Sequence, residues 1–503
     1  MMGFNRWFEL IVLCTFITMG GISACSIQET THVPSLTELP ISTTAVPVLE
    51  MTQASITVTP VPSRPSYTPG ELVDYVAQTG DTLPVLAIHF NTSVEEILAA
   101  NTFIPEDATT MPPGMPMKIP IYYAPFWDSP YQIIPDDLFI NGPAQIGFDS
   151  AEFIANKPGW LNGYAEYAFY GTHTAAEIVD YVSLQYSVSP RLLLALIEYQ
   201  AGGLSQPSLP PDGVTYVLGN VDWQKKGLYR QLVWAADTLN NGYYSWRAGS
   251  PETFDTLDGR LIRPDPWQNA ASVALQYYFS RLFDGDLYAH SIAHDGVAQT
   301  YKELFGDPWQ NVEPHIPGSL AQPEFRLPFY AGLEWAYTGG PHSAYGSGAP
   351  LAALDFAPGA MKSGCTPTHA MAVAVASGVI ARSETGLVML ALDGDGDERT
   401  GWVVLYLHVA TEGRASLGKV INTGDPVGYP SCEGGIATGT HLHIARKYNG
   451  EWILADSVLA FNLGGWIAHN GDTEYQGTLS RNTKVITACE CSDAGSQIIA
   501  DER

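Results

Sequence analysis

The rhythm of apolar and polar positions changes several times along the chain. Residues 26 to about 70 are rich in Thr, Ser and Pro and show no apolar periodicity. Such a stretch cannot bury enough surface to order itself and reads as a tether. Val73-Asp74-Tyr75-Val76 then reads as a short strand, and after Thr79-Gly80-Asp81-Thr82 the segment Leu83–Phe90 carries apolar residues at helical spacing. Ser93, with Glu96 three residues later, forms a capping box for a second helix that holds Val94, Ile97 and Leu98 and ends near Asn101. Pro113-Gly114 precedes a return strand at Met117–Pro120, so the pattern predicts a βααβ module over 71–122. Residues 123–320 turn mostly helical. Thr174 and Glu177 cap a helix running through Tyr186, and Ser189-Pro190 opens another from Arg191 to Gln200 that is apolar on nearly every side and therefore central. Further helices are expected at 226–240, 267–283 and 294–305. From about 322 short apolar runs alternate with Gly-rich turns: Met371–Ile380, Gly386–Leu392, Trp402–His408 and Lys419–Gly428. That spacing predicts an antiparallel β domain over 321–470, with 471–503 as a tail.

Composition narrows the class. Of 503 residues, 46% are apolar and 15% charged, enough apolar content for several cores. The formal net charge of −28 argues against nucleic acid as a partner, because no basic surface is available to meet phosphates. Residues 1–25 read as an export signal: Arg6 is followed by an apolar run from Leu10 to Met19 and then by small residues. Ile22-Ser23-Ala24-Cys25 resembles a bacterial lipobox, which implies lipidation of Cys25 and a membrane-anchored, extracytoplasmic protein. In that setting disulfides persist. Cys365 and Cys432 fall in one expected domain and can pair. Cys489 and Cys491 are too close in sequence to favour each other, and their partner is left open.

The βααβ segment carries Tyr75–Leu83, Ser93–Asn101, Pro112-Pro113-Gly114 and Met117–Pro120 in an order and spacing that resemble a LysM domain. The resemblance implies binding to the N-acetylglucosamine-containing glycan of peptidoglycan. Ser187–Leu204 faintly resembles the active-site helix of lysozyme-like lytic transglycosylases, but Gln200 stands where that helix has Glu, and an amide cannot protonate a glycosidic oxygen. Glu198 lies on another helix face. The middle domain is therefore expected to be a spacer or glycan-contacting unit, with glycan cleavage as an alternative function. Asp393-Gly394-Asp395-Gly396-Asp397-Glu398 has the start of a calcium loop without its closing Glu, and reads as a tight acidic turn.

Three histidine clusters lie in the β domain. The first is Gly339-Gly340-Pro341-His342-Ser343, followed by Tyr345-Gly346-Ser347-Gly348 and then Leu354-Asp355-Phe356. The second is Val403–His408 and the third Gly439-Thr440-His441-Leu442-His443-Ile444. On a strand, His441 and His443 would face the same way. A hydrolytic zinc site needs three protein ligands and an open position for water, whose pKa the ion lowers to about 7. His342, Asp355 and one histidine of the last pair can make such a set. The three clusters, in this order over 325–460, resemble the zinc metalloendopeptidases of the lysostaphin and beta-lytic group, and the long His342-to-Asp355 interval resembles the beta-lytic branch. The resemblance implies zinc on His342, Asp355 and His443, with His408 and His441 as the catalytic, unliganded pair. His369 has no motif partner and is expected to be a bystander. The chain as a whole reads as multidomain: a βααβ LysM module, a mostly α-helical middle and a C-terminal antiparallel β metallopeptidase domain acting on the peptide cross-links of peptidoglycan. The rival reading is a non-catalytic wall-binding lipoprotein.

Overall fold

The computed structural model describes residues 64–122, 128–359, 364–491 and 493–501. The export signal, Cys25 and nearly all of the tether lie outside the described residues. The last part of the expected tether is not free: the Arg64 guanidinium pairs with Asp265 and lies 3.8 Å from the centroid of the Trp267 ring.

In the module, strand β1 (Glu71–Val76) pairs antiparallel with β2 (Pro116–Ile121), setting Val73 opposite Ile119 and Tyr75 opposite Met117. Helices α1 (Leu83–Phe90) and α2 (Val94–Ala100) close over the inward side. Ser93 caps α2 by accepting the Glu96 N–H, but the capping box is half made, because the Glu96 carboxylate goes to the Thr92 and Tyr122 hydroxyls. Asn101 ends the helix. Its amide donates to the Ile97 and Lys118 carbonyls and its oxygen accepts the Lys118 N–H, which ties α2 to the return strand. The module is docked on the helical region: His89 stacks on Trp246 with ring centroids 3.5 Å apart, and Trp267 donates to the Asp74 carbonyl.

The longer helices of the middle region are α3 (Ala175–Tyr186), α4 (Pro190–Ala201), α5 (Leu228–Ala248), α6 (Ala270–Ser280) and α7 (Val297–Phe305). Thr174 and Glu177 form both halves of a capping box on α3, and Ser189 caps α4, whose residues Leu192–Ile197 are all buried. Helix α5 runs on past 240 to Ala248, where left-handed Gly249 stops it. The Gln200 amide donates to the Leu218 carbonyl and accepts the Tyr278 hydroxyl, while the Glu198 carboxylate accepts the Leu204 and Ser205 amides. Both side chains close backbone and side-chain bonds of the fold.

The β region is built on strands β3 (Glu334–Ser343), β4 (Leu351–Pro358), β5 (Gly378–Glu384), β6 (Gly386–Ala391), β7 (Trp402–Val409), β8 (Val420–Ile421) and β9 (Leu442–Tyr448). A second, four-stranded sheet contains β10 (Trp466–Asn470), β11 (Gly477–Arg481) and β12 (Lys484–Thr487) together with Asn462–Leu463. The main sheet has the order β8-β5-β6-β7-β9-β4-β3-β13, where β13 is Gln497–Ile499, and Glu451–Trp452 adds to β9. The expectation of a tail from 471 is thus corrected: those residues complete the small sheet and supply the edge strand beside β3. For β13 the reason is long-range pairing, to which local periodicity is blind; β11 and β12 follow β10 in local hairpins. Cys365 is joined to Cys432, and Cys489 is joined to Cys491 across a single residue, contrary to the expectation that they avoid each other.

Successive side chains of β6, β7 and β9 enter two different cores. Leu387, Met389, Val403, Leu405, Leu407 and Ala445 pack with the helical region, while Val388, Leu390, Val404, Tyr406, Leu442 and Ile444 pack on the other side of the sheet. Both faces are dry, so these strands read as continuous apolar runs. The acidic turn at 393–398 is held internally: Asp397 pairs with Arg399, Asp395 accepts the Thr400 hydroxyl, and buried Glu398 sits between Arg382 and Lys447.

Candidate metal centre

His342 lies near the end of β3, Asp355 on β4 and His443 on β9, and the ladder sets His443 directly opposite Asp355. All three are buried. Strand alternation puts Asp355 and His443 on the face that the helical region covers elsewhere, in line with Ala353 and Ala445. Gly339 pairs with Asp355 across β3 and β4, and a Cβ there would stand 2.7 Å from the Asp355 carboxylate, so only glycine leaves room for it.

His342 Nε2 is 3.0 Å from His443 Nδ1, and Asp355 Oδ1 is 3.3 Å from each. The other nitrogen of each ring meets a backbone carbonyl, Gly340 O for His342 Nδ1 and Ala344 O for His443 Nε2. A carbonyl only accepts, so both rings must donate there, and in the neutral state the two facing nitrogens present lone pairs to one another. Asp355 Oδ1 is buried and has no hydrogen-bond partner. Three acceptors thus converge with no proton to share. Ligands ~2.0–2.1 Å from a tetrahedral ion lie roughly 3.3 Å from each other, so the set fits zinc in identity and in spacing. The carbonyl bonds are the outer contacts that orient metal-bound histidines.

Two more imidazoles adjoin this set. His441 precedes β9, and its Nε2 is 3.7 Å from Asp355 Oδ2 while its Nδ1 donates to the Gly439 carbonyl. His408 lies 4.4 Å from His441 between ring centroids, and its Nδ1 donates to the Glu433 carbonyl. Strict alternation along β7 would send His408 into the apolar core with Val404 and Tyr406. Instead His408 adopts φ +61°, and the β6–β7 register slips there, so that Gly386 faces Val409 and Leu387 faces Leu407. A left-handed bulge residue re-aims the ring toward the cluster, at a cost of order 1–3 kcal/mol. In the absence of any ion, burial alone would raise the Asp355 carboxyl, but His342, whose protonated form burial disfavours and Asp355 favours more, outweighs it together with His443 and His441 and holds the carboxyl well below the usual range. Burial, followed by the neighbouring His441 and His443, pushes His408 down to about 3, leaving a neutral imidazole.

His369 is exposed and outside the cluster. Sequence reasoning missed Tyr475, in the segment taken for a tail. Its ring stacks on His342 at 4.2 Å, its φ is +66°, and its backbone bonds to Gly340 and Pro341. No local motif flags it, since only the pairing of the small sheet brings it over the site. The Cys365–Cys432 bridge lies beside the opposite rim, where Thr440 bonds to the Gly364 and Thr366 carbonyls.

Residues 132–318, the helical region, match the family model described as LasA, N-terminal domain. Over 364 residues the chain is 25% identical to Protease LasA of Pseudomonas aeruginosa (strain UCBPP-PA14), covering 69% of this chain and 80% of the relative. Among solved structures, the M23 metalloprotease pseudoalterin from the deep sea is 24% identical, with 33% of this chain and 96% of that chain covered and a TM-score of 0.29. The catalytic domain of lysostaphin from Staphylococcus simulans is 22% identical, with 24% and 89% covered and a TM-score of 0.18. The chain is LasA-like in sequence over more than half its length.

Proposed function

We propose that this chain is a zinc metalloendopeptidase that hydrolyses peptide cross-links in peptidoglycan, anchored at the cell envelope through lipid on Cys25 and bound to glycan through a LysM-type module at 71–122. The observation that carries the reading is the convergence of His342 Nε2, His443 Nδ1 and Asp355 Oδ1 within 3.0–3.3 Å, with two unliganded imidazoles alongside. The similarity to a relative named as a protease supports it.

His342, Asp355 and His443 would hold the ion, with the Gly340 and Ala344 carbonyls fixing their tautomers. Zinc bound there supplies Lewis acidity to the scissile carbonyl and to the attacking water. His441 and His408 each donate Nδ1–H to a carbonyl and so carry a lone pair on Nε2, by which His441 can take a proton from water and then pass it to the leaving amine, while His408, held neutral, is the weaker base. The Tyr475 phenol is held above its usual range, by burial first and then by Asp355, and so stays a neutral O–H donor above His342. A cleft of about 560 Å³ opens where module, α5 and β region meet. Val85, Tyr244 and Trp452 line it, together with Glu474, the neighbour of Tyr475.

The test is digestion of purified peptidoglycan with and without chelator, followed by mass analysis of the fragments. New amino termini that vanish on chelation are expected. New reducing ends or anhydro-sugars, or no products at all, would overturn the assignment. His441→Ala should lose the activity while keeping the metal.

A further inference from the structure

The hairpin between β3 and β4 carries two of the three converging ligands, His342 before the turn and Asp355 after it, and its Ala344 carbonyl orients the third, His443. The turn itself, Tyr345–Pro350, does not lean on the β region alone. One helix of the middle region, α5, holds its tip from outside. Asp237 accepts the Ser347 backbone N–H at 2.8 Å and the Ser347 hydroxyl at 2.7 Å. Asn241, one turn further along the helix, accepts the Ala349 N–H at 2.8 Å and donates to the Ser347 carbonyl at 3.1 Å. Tyr186, at the end of α3, packs edge-on against Tyr345. The Gly-Ser-Gly run of the turn is shaped to this approach: Gly348 has φ +80°, and a Cβ there would lie 2.2 Å from Asn241 Oδ1.

We infer that Asp237 and Asn241 are positioning residues for the metal centre, and that the helical region serves to clamp the hairpin in the geometry that brings His342, Asp355 and the His443-orienting carbonyl together. Four hydrogen bonds from one helix fix the exposed tip of the turn, Gly346 and Ser347, beyond the bonds that close its base, Ala344 N–H to the Pro350 carbonyl and the Ser343 hydroxyl to the Tyr345 carbonyl. Neither Asp237 nor Asn241 is among the converging ligands, so their effect passes through the turn. The inference rests on the zinc reading above.

The test uses the full chain, purified, stripped of metal and reloaded. Zinc affinity is measured by competition with a chromophoric chelator, the electronic spectrum of the cobalt-substituted protein reports ligand geometry, and the melting temperature of the metal-free protein tracks the fold. Asp237→Ala should weaken zinc binding by about tenfold and alter the cobalt bands, as loss of an outer orienting contact does. Asp237→Asn, which keeps one acceptor, should recover most of that loss. Ser347→Ala sits on an exposed turn and removes only the hydroxyl contact, so it gives a readable answer if the helix variants fail to fold. It should weaken zinc binding by a few-fold. Wild-type zinc affinity and an unchanged cobalt spectrum in folded Asp237→Ala or Ser347→Ala would overturn the clamp while leaving the zinc reading intact. A wild-type protein that binds no zinc would overturn both.

Discussion

Among the described residues, two of the clusters of buried ionisable groups are built on opposite terms. At the junction of module, helices and β region, Arg247 pairs with Glu451 at 3.0 Å and with Asp136 at 3.0 Å. Glu451 also meets His315 at 2.6 Å and the Tyr243 hydroxyl at 2.7 Å, and Arg247 donates to the Thr79 carbonyl. Arg247 faces the anions of Glu451 and Asp136, so cation meets anion within the set, although Arg247 Nε and His315 Nδ1 make no hydrogen bond. At the β3–β4–β9 site the groups that converge are acceptors, and one of them, Asp355 Oδ1, has no partner. A protein tolerates a buried charge network when its members satisfy one another, and a buried set left short of a cation points to something that arrives from outside. The first cluster ties three parts of the fold together, and the second is the candidate centre of the proposed chemistry.

That contrast can be broken experimentally. The largest effect should come from Asp355→Asn, which ought to lower peptidoglycan hydrolysis by at least about 10³-fold and abolish stoichiometric zinc uptake. Wild-type turnover would erase the distinction. Arg247→Met leaves Glu451 and Asp136 buried without their cation and should cost about 3–5 kcal/mol in denaturant unfolding, with zinc stoichiometry of the folded fraction unchanged. Zinc at a hundred times its dissociation constant should stabilise the wild type by about 2.7 kcal/mol over the chelated protein, an increment absent in Asp355→Asn but present in Arg247→Met. The smallest effect is on acid sensitivity. Burial alone would raise Glu451, but Arg247, then His315 and Tyr243, outweigh it and hold the carboxyl at about 2, against an ordinary 4.5. A depressed folded pKa gives stability that is full above the ordinary range and fades as pH falls from there toward 2. Melting of the chelated protein across that window should show the slope in the wild type and a flatter one in Glu451→Gln.

How far the sequence was legible depended on the range of the interaction. Elements set by near neighbours stood out: the Thr174–Glu177 capping box, the Ser189-Pro190 start of α4 and the strand–helix–helix–strand order of the module all formed where the pattern put them. The expectation that groups His342, Asp355, His441 and His443 came from the family resemblance that their Gly-rich clusters carry, and the structure brings these side chains together. What was hidden depends on distant partners. The half-made box at Ser93 turns on Tyr122, which lies on the far side of the module sequence and draws Glu96 away. The alternation rule would have buried His408, and only a left-handed bulge returns it to the site. Tyr475 lies in the β10–β11 loop and reaches the site only through its bonds to Gly340 and Pro341, and β13 pairs with β3; both partners lie far back in the chain, so no window of sequence around Tyr475 or β13 announces them.

The sheet that carries the candidate centre is apolar on both sides, and this bears on how the protein can be cut. Leu387, Met389, Val403, Leu405 and Leu407 are covered by the helical region, each contributing on the order of 1.5–3 kcal/mol by staying out of water. A protease that excised the helices would strip that cover and leave a wide greasy plate next to the candidate centre, prone to stick to other chains or to itself. The β region released from the helices is therefore expected to expose that face and to self-associate more readily than the whole chain.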